Sequence, residues 1–485
     1  MNQRSYNPGY GPTIILAAIF ILSRIIYYLL GIRFDIEPLT YYWQYIDPEL
    51  LRTDLLQSVF YLHSQPPLFN LFIGTVLKLF AGNEVMAFHL AYLLMGLILN
   101  LSLYILMIRL GLGNRLSLVL VGLFLISPAC ILYENFLFYS YPVATLLCLL
   151  ALVLHSYLQF GKIRSLIIFS VLMLCLVLTR SLFHLVWLTA VFLILVYFRK
   201  AQWRSITITG ALCVAVCLSL YVKNAYSFGT FSASSWFGMN FNRLTTQKLP
   251  YNERFRLVEE GKLSRFSLVD PFQPLEIYQR RIDFSLAPKT GHAVLDETLK
   301  SSGAPNLNNS TYLDISRQYA RDAWYVLTHY PGTYVKSLLE SSQIYCMPSS
   351  SYYFLEKNRR HISRLDKAYN LMLFGQFDYE EKVTERKTFF HTGLFLWLGY
   401  IFAIIYGFVL IRKSISGRDA TAANTVTLLF IWFNLVYITV VGNAFELGEN
   451  NRFRFLTEPM FLVCLGLAIK NIFNIEPSVE IPEGT

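Results

Sequence analysis

The chain has 485 residues, of which 55% are hydrophobic and only 15% charged, and its formal net charge is +10. That balance excludes an ordinary soluble globular protein. The basic excess does not call for nucleic acid, because lysines and arginines flanking membrane helices explain much of it.

Apolar runs long enough to cross a hydrocarbon core of roughly 30 Å predict spans over 13–32, 85–109, 116–133, 141–160, 165–182, 183–198, 205–222, 389–411, 423–443 and 453–472. The first is too long for a removable signal peptide and lacks a small-residue cleavage site, so it is expected to be an anchor. The loop after it, Arg33–Asn70, places Asp35 and Glu37 at the membrane surface and returns to apolar sequence through His63-Ser-Gln-Pro-Pro. Ionisable groups are costly at that depth unless they have a partner or a task. The stretch 67–81 is about 15 residues, short for a span, and suits a re-entrant or interfacial helix with proline in its first turn.

Lys/Arg clusters at Arg109–Arg115, Lys162/Arg164, Arg199–Arg204 and Arg412–Arg418 mark cytoplasmic loops. The ten spans then alternate only if 67–81 does not cross, and both termini are cytoplasmic. The opposite side holds 33–84, the turns 133–141 and 180–184, the long region 223–388, and 442–452. The expected fold is therefore an all-α polytopic membrane protein. An amino-terminal module (1–222) leads to a mainly helical extracytoplasmic region (223–388) and carboxy-terminal spans (389–485).

Within 223–388, SFGTFSASSWFGMNF is expected to pack over the membrane mouth, and Pro271–Asn309 reads as loop. Residues 313–345 read as two helices broken at Pro331-Gly332, with Ile315, Tyr319, Val326 and Tyr330 on one face. The basic run KNRRHISRLDK (357–367) reads as a solvated or headgroup-facing helix surface, and Asp47 and Asp54 as helix caps or loop decoration. Six of seven cysteines lie in apolar segments, which leaves Cys346 without a disulfide partner in the hydrophilic region.

No Walker-type loop, HExxH or paired CxxC occurs, so nucleotide hydrolysis and zinc catalysis lack support. What stands out is a set of acids and bases at one membrane boundary: Asp35, Glu37, His63, Glu134, Arg180, His184, Arg452 and Arg454. Arg454 suits snorkelling to headgroups equally well, and His89 and His155, each alone in a span, read as buried hydrogen-bonding residues. Carboxylates and guanidinium groups on one side suit group transfer from a phosphate-bearing lipid. A carboxylate takes the proton of an attacking hydroxyl, and arginine forks neutralise the departing phosphate.

The ordered elements FDIEP (34–38), HSQPPLFN (63–70), the Thr-Arg-Ser turn (179–181) and RFRFLTEP (452–459) resemble the GT-C superfamily of polyprenyl-phosphate-sugar glycosyltransferases. Within it, the likeness is to the group of protein O-mannosyltransferases and lipid A aminoarabinose transferases. It covers the amino-terminal half of the membrane domain and the last span, not 223–388. The resemblance implies a GT-C-like bundle of about ten helices and an inverting transfer of sugar to an acceptor hydroxyl outside the cytoplasm. It puts the catalytic base on Asp35, with Glu37 as the alternative, and the donor phosphate on Arg180, Arg452 and Arg454. His63, Glu134, Tyr141 and His184 form an acceptor or secondary site. The chain departs from the family in having Asp-Ile-Glu where adjacent Asp-Glu is common. Tyr141 stands where an acid often precedes a proline, and Glu134 is the residue that can compensate.

The implied donor is a polyprenyl-phosphate sugar, and the acceptor a glycan, lipid or protein. Membrane lipids are expected partners and nucleic acid is not. A divalent metal stays open, since the first-loop acids could bind one and arginine alone can serve. A lipid-linked sugar flippase and a lipid-pyrophosphate glycan ligase are the alternatives; the first lacks the expected repeats. The sequons at Asn308 and Asn309 hint at a glycosylating compartment, but a bacterial inner membrane is the expected location.

Overall fold

The computed structural model describes residues 10–282, 284–374, 394–416 and 423–474, and among them it is all-helical, with two isolated β-bridges. Among the described residues, six helices are long and apolar enough to cross a membrane: Tyr10–Leu29, Glu84–Arg109, Ser140–Phe160, Lys200–Phe228, Ala423–Phe445 and Asn450–Ile472. The chain is a membrane protein. The remaining expected spans differ in detail. The one at 116–133 is two helices, Asn114–Leu125 and Pro128–Glu134, bent by 56°. Ser127 causes the bend: its side chain caps the second helix by accepting from Cys130 N, and Pro128 takes the first helical position. Ile163–Thr179 and Leu185–Phe198 have 17 and 14 residues, roughly 26 and 21 Å at about 1.5 Å per residue. The Leu394–Ser416 helix answers to the span expected at 389–411, whose first residues, like both chain ends, lie outside the described set.

Ser140–Phe160 runs through the middle of the bundle and packs on Glu84–Arg109, Ile163–Thr179, Ala423–Phe445 and Asn450–Ile472. Leu68–Leu79 is a 12-residue helix, too short to cross, as expected of 67–81. The helix ends alternate accordingly. At one end Lys470 donates to Gly111 O at 2.6 Å and Arg199 to Leu158 O at 2.7 Å, which gathers the basic clusters there. At the other end the first loop, the 133–139 turn, the outer region and the 446–449 loop meet. Asp35 N donates to Asn135 O, Tyr45 Oη to Leu137 O, and Tyr42 Oη to Glu449.

The first helix turns most of its surface outward, with Ile14, Ile21, Leu22 and Ile25 exposed. In lipid such a face gives no drive toward the bundle, so polar contacts become the glue. Arg24 supplies them, holding both carboxylate oxygens of fully buried Glu134 at 2.8 and 2.6 Å, while Tyr141 donates to Glu134 at 2.7 Å. Gly96 makes room, since a Cβ there would lie 2.1 Å from Glu134 Oε2. Glu134 and Tyr141, expected at a secondary site, are thus a structural tie.

The outer region has its own core of Trp236, Met239, Tyr278, Tyr312, Ile315 and Tyr319. Thr311–His329 and Pro331–Tyr345 are the expected helix pair with the break at Pro331; Ile315, Tyr319 and Val326 are buried, Tyr330 partly so. Pro271–Asn309 is not all loop: it contains the helix Leu275–Ile282, whose Leu275, Tyr278 and Ile282 are buried at i, i+3 and i+7. Two turns behind Pro274 are too short to register as a period. Asn308 and Asn309 are buried and bonded; Asn308 Oδ1 accepts from His63 N and Ser64 N, and Asn309 Oδ1 from Thr311 N. The folded chain leaves no room for a glycan at either sequon.

Two expected outcomes follow from these packing facts. Arg24→Leu leaves Glu134 buried without its cation and should cost about 3–5 kcal/mol, most of it recovered in the Arg24→Leu/Glu134→Leu double variant; thermal unfolding in detergent measures both. Asp322 is buried in the outer region and accepts from Ser264 N and Oγ at 3.0 and 2.6 Å. Burial raises its pKa to about 6, against the lowering by the Ser264 bonds. The folded state therefore holds this proton more tightly than the unfolded chain, and that stabilisation is lost as pH rises from about 4 through about 6. Asp322→Asn should remove this pH-dependent loss from the melting temperature while keeping both Ser264 contacts.

Candidate functional site

A cavity of about 660 Å³ opens where the loops converge. Its walls come from the first loop (Tyr41–Gln44), the 180–184 turn, the Ser232–Arg243 stretch, Phe272, Tyr353 and Phe354, and the junction of the last two helices. The SASSWFG segment does close over this mouth, as expected. Five charged side chains line it: Arg180, Arg243, Glu446, Glu449 and Arg452.

The last two helices present the acids. Phe445 ends one helix and Asn450 begins the next, and Gly448 turns the link at φ +110°, where a Cβ would press Arg243 Nη2 at 3.2 Å. Leu447 points into a small core with Leu244 and Ile344, so Glu446 and Glu449 on either side of it face the cavity. The Tyr42, Tyr352 and Tyr353 hydroxyls lie 3.2, 3.1 and 3.1 Å from Glu449 Oε1, and Glu449 Oε2 pairs with Arg452. Burial alone would raise the Glu449 pKa, but the Arg452 charge and hydrogen bond outweigh it and the net shift is downward. Glu446 faces Arg243 at 3.5 Å. Burial raises its pKa; Arg243 pulls it down, nearby Glu449 pushes it up, and the net shift is upward.

Arg180 differs from every other cation here. The Ile163–Thr179 helix stops one residue before it, and its own backbone is extended (φ −143°, ψ 129°), which carries the side chain across the cavity floor. The guanidinium lies over the Phe453 and Tyr139 rings at 4.3 and 4.7 Å. It is 6% exposed, and among the described residues its Nε and Nη1 have no hydrogen-bond partner. Arg452 shares the same two rings at 5.0 and 5.3 Å and has an unpartnered Nε. Two guanidinium groups share one aromatic floor, and one of them has no ion-pair partner among the described residues, which leaves donors of the kind that phosphate or carboxylate oxygens accept.

The cavity rim is aromatic. Trp43 stacks on Phe272 at 5.1 Å, and Trp236 meets Phe272 edge-on at 5.3 Å. Phe272 is held at φ +64°, a conformation costing about 1–3 kcal/mol in a non-glycine residue. Strain of this kind collects at binding sites, and here it fixes a flat ring beside the mouth.

Of the residues expected from sequence, Arg180, Arg452 and His184 line the cavity; His184 Nε2 sits 3.1 Å from Tyr437 Oη. Asp35 and Glu37 do not. Asp35 Oδ1 accepts from Glu37 N at 3.0 Å, and Lys357 bridges Asp35 and Glu37 at 3.5 and 2.6 Å. One ammonium thus offsets part of the charge of the two carboxylates where a metal was left open. Among the described residues no group of three or more His, Cys, Asp or Glu is gathered as for a metal. The 357–367 run is thus partly an ion-pair partner rather than only a solvated face. His63 is locked away: its Nε2 lies 2.9 Å from Asn308 O, so Nε2 carries the proton and Nδ1 accepts from Ser235 Oγ at 2.7 Å. Burial lowers its pKa to about 3, keeping it neutral. Arg454 is buried behind the cavity, bonded to Met347 O and paired with Glu458 at 2.7 Å.

Sequence reasoning missed Glu446, Glu449 and Arg243. The available signal was Glu-Leu-Gly-Glu between two spans, with Arg452 three residues on. No protein-family model matches the chain, and neither does any curated protein or solved structure.

A buried cation without an anion destabilises the empty site. Arg180→Leu, which keeps the packing between Tyr139 and Phe453, should raise the melting temperature of the ligand-free protein. Arg452→Leu should lower it, because Glu449 then loses its cation. Thermal unfolding of both variants side by side checks the contrast.

Proposed function

We propose that the protein is a membrane glycosyltransferase that moves a sugar from a polyprenyl-phosphate carrier to an acceptor hydroxyl at the cavity. The observation that carries this reading is Arg180, buried, stacked and unpartnered beside Arg452. Arg180, which has no ion-pair partner among the described residues, matches a phosphate that arrives and leaves, since a permanent counter-ion there would block it; Arg452, paired with Glu449, has its Nε left to join the contact. Arg180 and Arg452 hold the donor phosphate and stabilise the charge it gains as the sugar departs. Arg454 has no part in this, being committed to Glu458 and Met347.

The rim supports the sugar class. The C–H faces of a pyranose ring pack on flat aromatic surfaces, and Trp43, exposed at the mouth and stacked on buried Phe272, supplies one. Apolar side chains Leu182, Val441 and Phe445 line the cavity beside the arginines, a wall suited to an isoprenoid tail. We take the bent pair Asn114–Leu125 and Pro128–Glu134 as one pass, and Ile163–Thr179, Leu185–Phe198 and Leu394–Ser416 as crossing with the six long helices, giving about ten passes. The basic clusters then face the cytoplasm and the cavity faces outward, in a bacterial inner membrane.

The ligase reading gains one point: it never needed first-loop carboxylates at the site, and Asp35 and Glu37 are elsewhere. Binding of lipids to the protein in nanodiscs tests both readings together. Polyprenyl monophosphate should bind with an affinity reduced about tenfold or more in Arg180→Leu and Arg452→Leu, as expected for loss of a charge-assisted contact. Binding indifferent to both substitutions would overturn the phosphate assignment. A clear preference for polyprenyl pyrophosphate over the monophosphate would favour the ligase.

A further inference from the structure

Transfer to a hydroxyl needs a group to take its proton, and the first-loop acids do not line the cavity. Glu446 does. The two carboxylates there are in opposite conditions. Three tyrosine hydroxyls crowd Glu449 Oε1 within 3.2 Å and Oε2 is paired with Arg452, so it has little capacity left. Glu446 has one loose ion pair with Arg243, and among the described residues no side-chain hydrogen bond reaches its carboxylate. Its backbone is pinned instead, its carbonyl accepting from Ser341 Oγ and Asn450 Nδ2 at 3.1 and 2.9 Å. It is thus a fixed acid with open acceptor positions, lining the same cavity as Arg180 and Arg452.

We propose that Glu446 is the catalytic base, taking the acceptor's proton as its oxygen attacks the sugar; this rests on the transfer reading above. The acceptor O–H bond breaks and its proton goes to a Glu446 oxygen. The acceptor oxygen's electron pair forms the new bond to the anomeric carbon. The bond from that carbon to the phosphate oxygen breaks, and its electrons stay on the polyprenyl phosphate held by Arg180 and Arg452. Nothing else is consumed. The charged groups facing Glu446 are Arg243, Glu449, Arg452 and Arg180. Burial and Glu449 make the proton easier to accept, while the Arg243 charge opposes that shift and its ion pair positions the carboxylate.

The test uses membranes containing the full chain and a panel of radiolabelled polyprenyl-phosphate hexoses, reading label lost from the lipid. Glu446→Gln should slow turnover at least about 100-fold, the span of general-base catalysis, with binding of polyprenyl monophosphate no weaker than in the wild type. Glu446→Asp should restore part of the rate. Arg243→Gln removes a positive neighbour and should move the acid limb of the pH–rate profile to higher pH, a shift that loss of packing alone would not produce. Turnover by Glu446→Gln close to wild type overturns the assignment and leaves the transfer reading standing. So does loss of turnover in Asp35→Asn alone, which would return the role to Asp35. A wild type that binds polyprenyl monophosphate but cleaves none of the hexose donors overturns the transfer reading, and Glu446 as base falls with it.

Discussion

The Glu449 carboxylate is the point at which separate parts of the chain become one site. Tyr42 reaches it from the first loop, Tyr352 and Tyr353 from the outer region, and Arg452 from the start of the last helix. The Tyr42 and Tyr352 hydroxyls also lie 2.6 Å apart, so one donates to the other while that one donates to Glu449, and Lys300 secures the Tyr42 carbonyl. A carboxylate taken from water is expensive unless its lone pairs are satisfied, so the three hydroxyls and the guanidinium are drawn in together. That requirement sets where the first loop sits, and hence where the cavity wall stands.

The same tie decides the state of the arginines. Arg452 has its counter-ion in Glu449, which lets it be fully buried. Arg180 lies on the same two rings with no counter-ion of its own. The aromatic floor offsets part of that cost through its negative ring faces, yet hydrogen-bond donors are left unused. Phe272 in its left-handed conformation is a second local cost beside the same mouth. Two unfavourable features at one cavity, in a chain otherwise well bonded around it, follow the pattern in which binding sites store strain that the scaffold tolerates.

Much of the architecture was legible because it rests on local signals. Apolar run length, basic clusters at span ends and the break at Pro331 each act within a few residues of where they are read. Arg180 and Arg452 stood out for the same reason: charge at the edge of apolar sequence is conspicuous. So were Asp35, Glu134 and His63, which do not line the cavity. Sequence displays a charge but not its partner. Glu37 meets Lys357 320 residues away, Glu134 meets Arg24 110 residues away, and His63 meets Asn308 245 residues away. Each is satisfied by a contact that only folding creates. Glu446 was hidden for the converse reason, since an acid in a short polar loop attracts no notice until the loop is seen to face a cavity. The short helix Leu275–Ile282 escaped because two turns do not make a period.

The charges lining the cavity bear on the proposed chemistry as a set. Three arginines face two glutamates, and burial lowers the pKa of His184, which keeps it uncharged. The empty cavity therefore carries one surplus positive charge. A sugar joined to a polyprenyl carrier through one phosphate is a diester with a single negative charge, which cancels that surplus. A pyrophosphate-linked donor would bring two and exceed it. Transfer releases a phosphate monoester, whose second ionisation near pH 6 gives it close to two negative charges. If the acceptor's proton has gone to Glu446, one glutamate is neutral and the surplus is two, so the product is also balanced. A base outside the cavity, such as Asp35, would leave the product under-compensated within a low-dielectric site, where such an imbalance is most costly. Charge balance before and after the step thus joins the monophosphate donor and the cavity base into a single requirement.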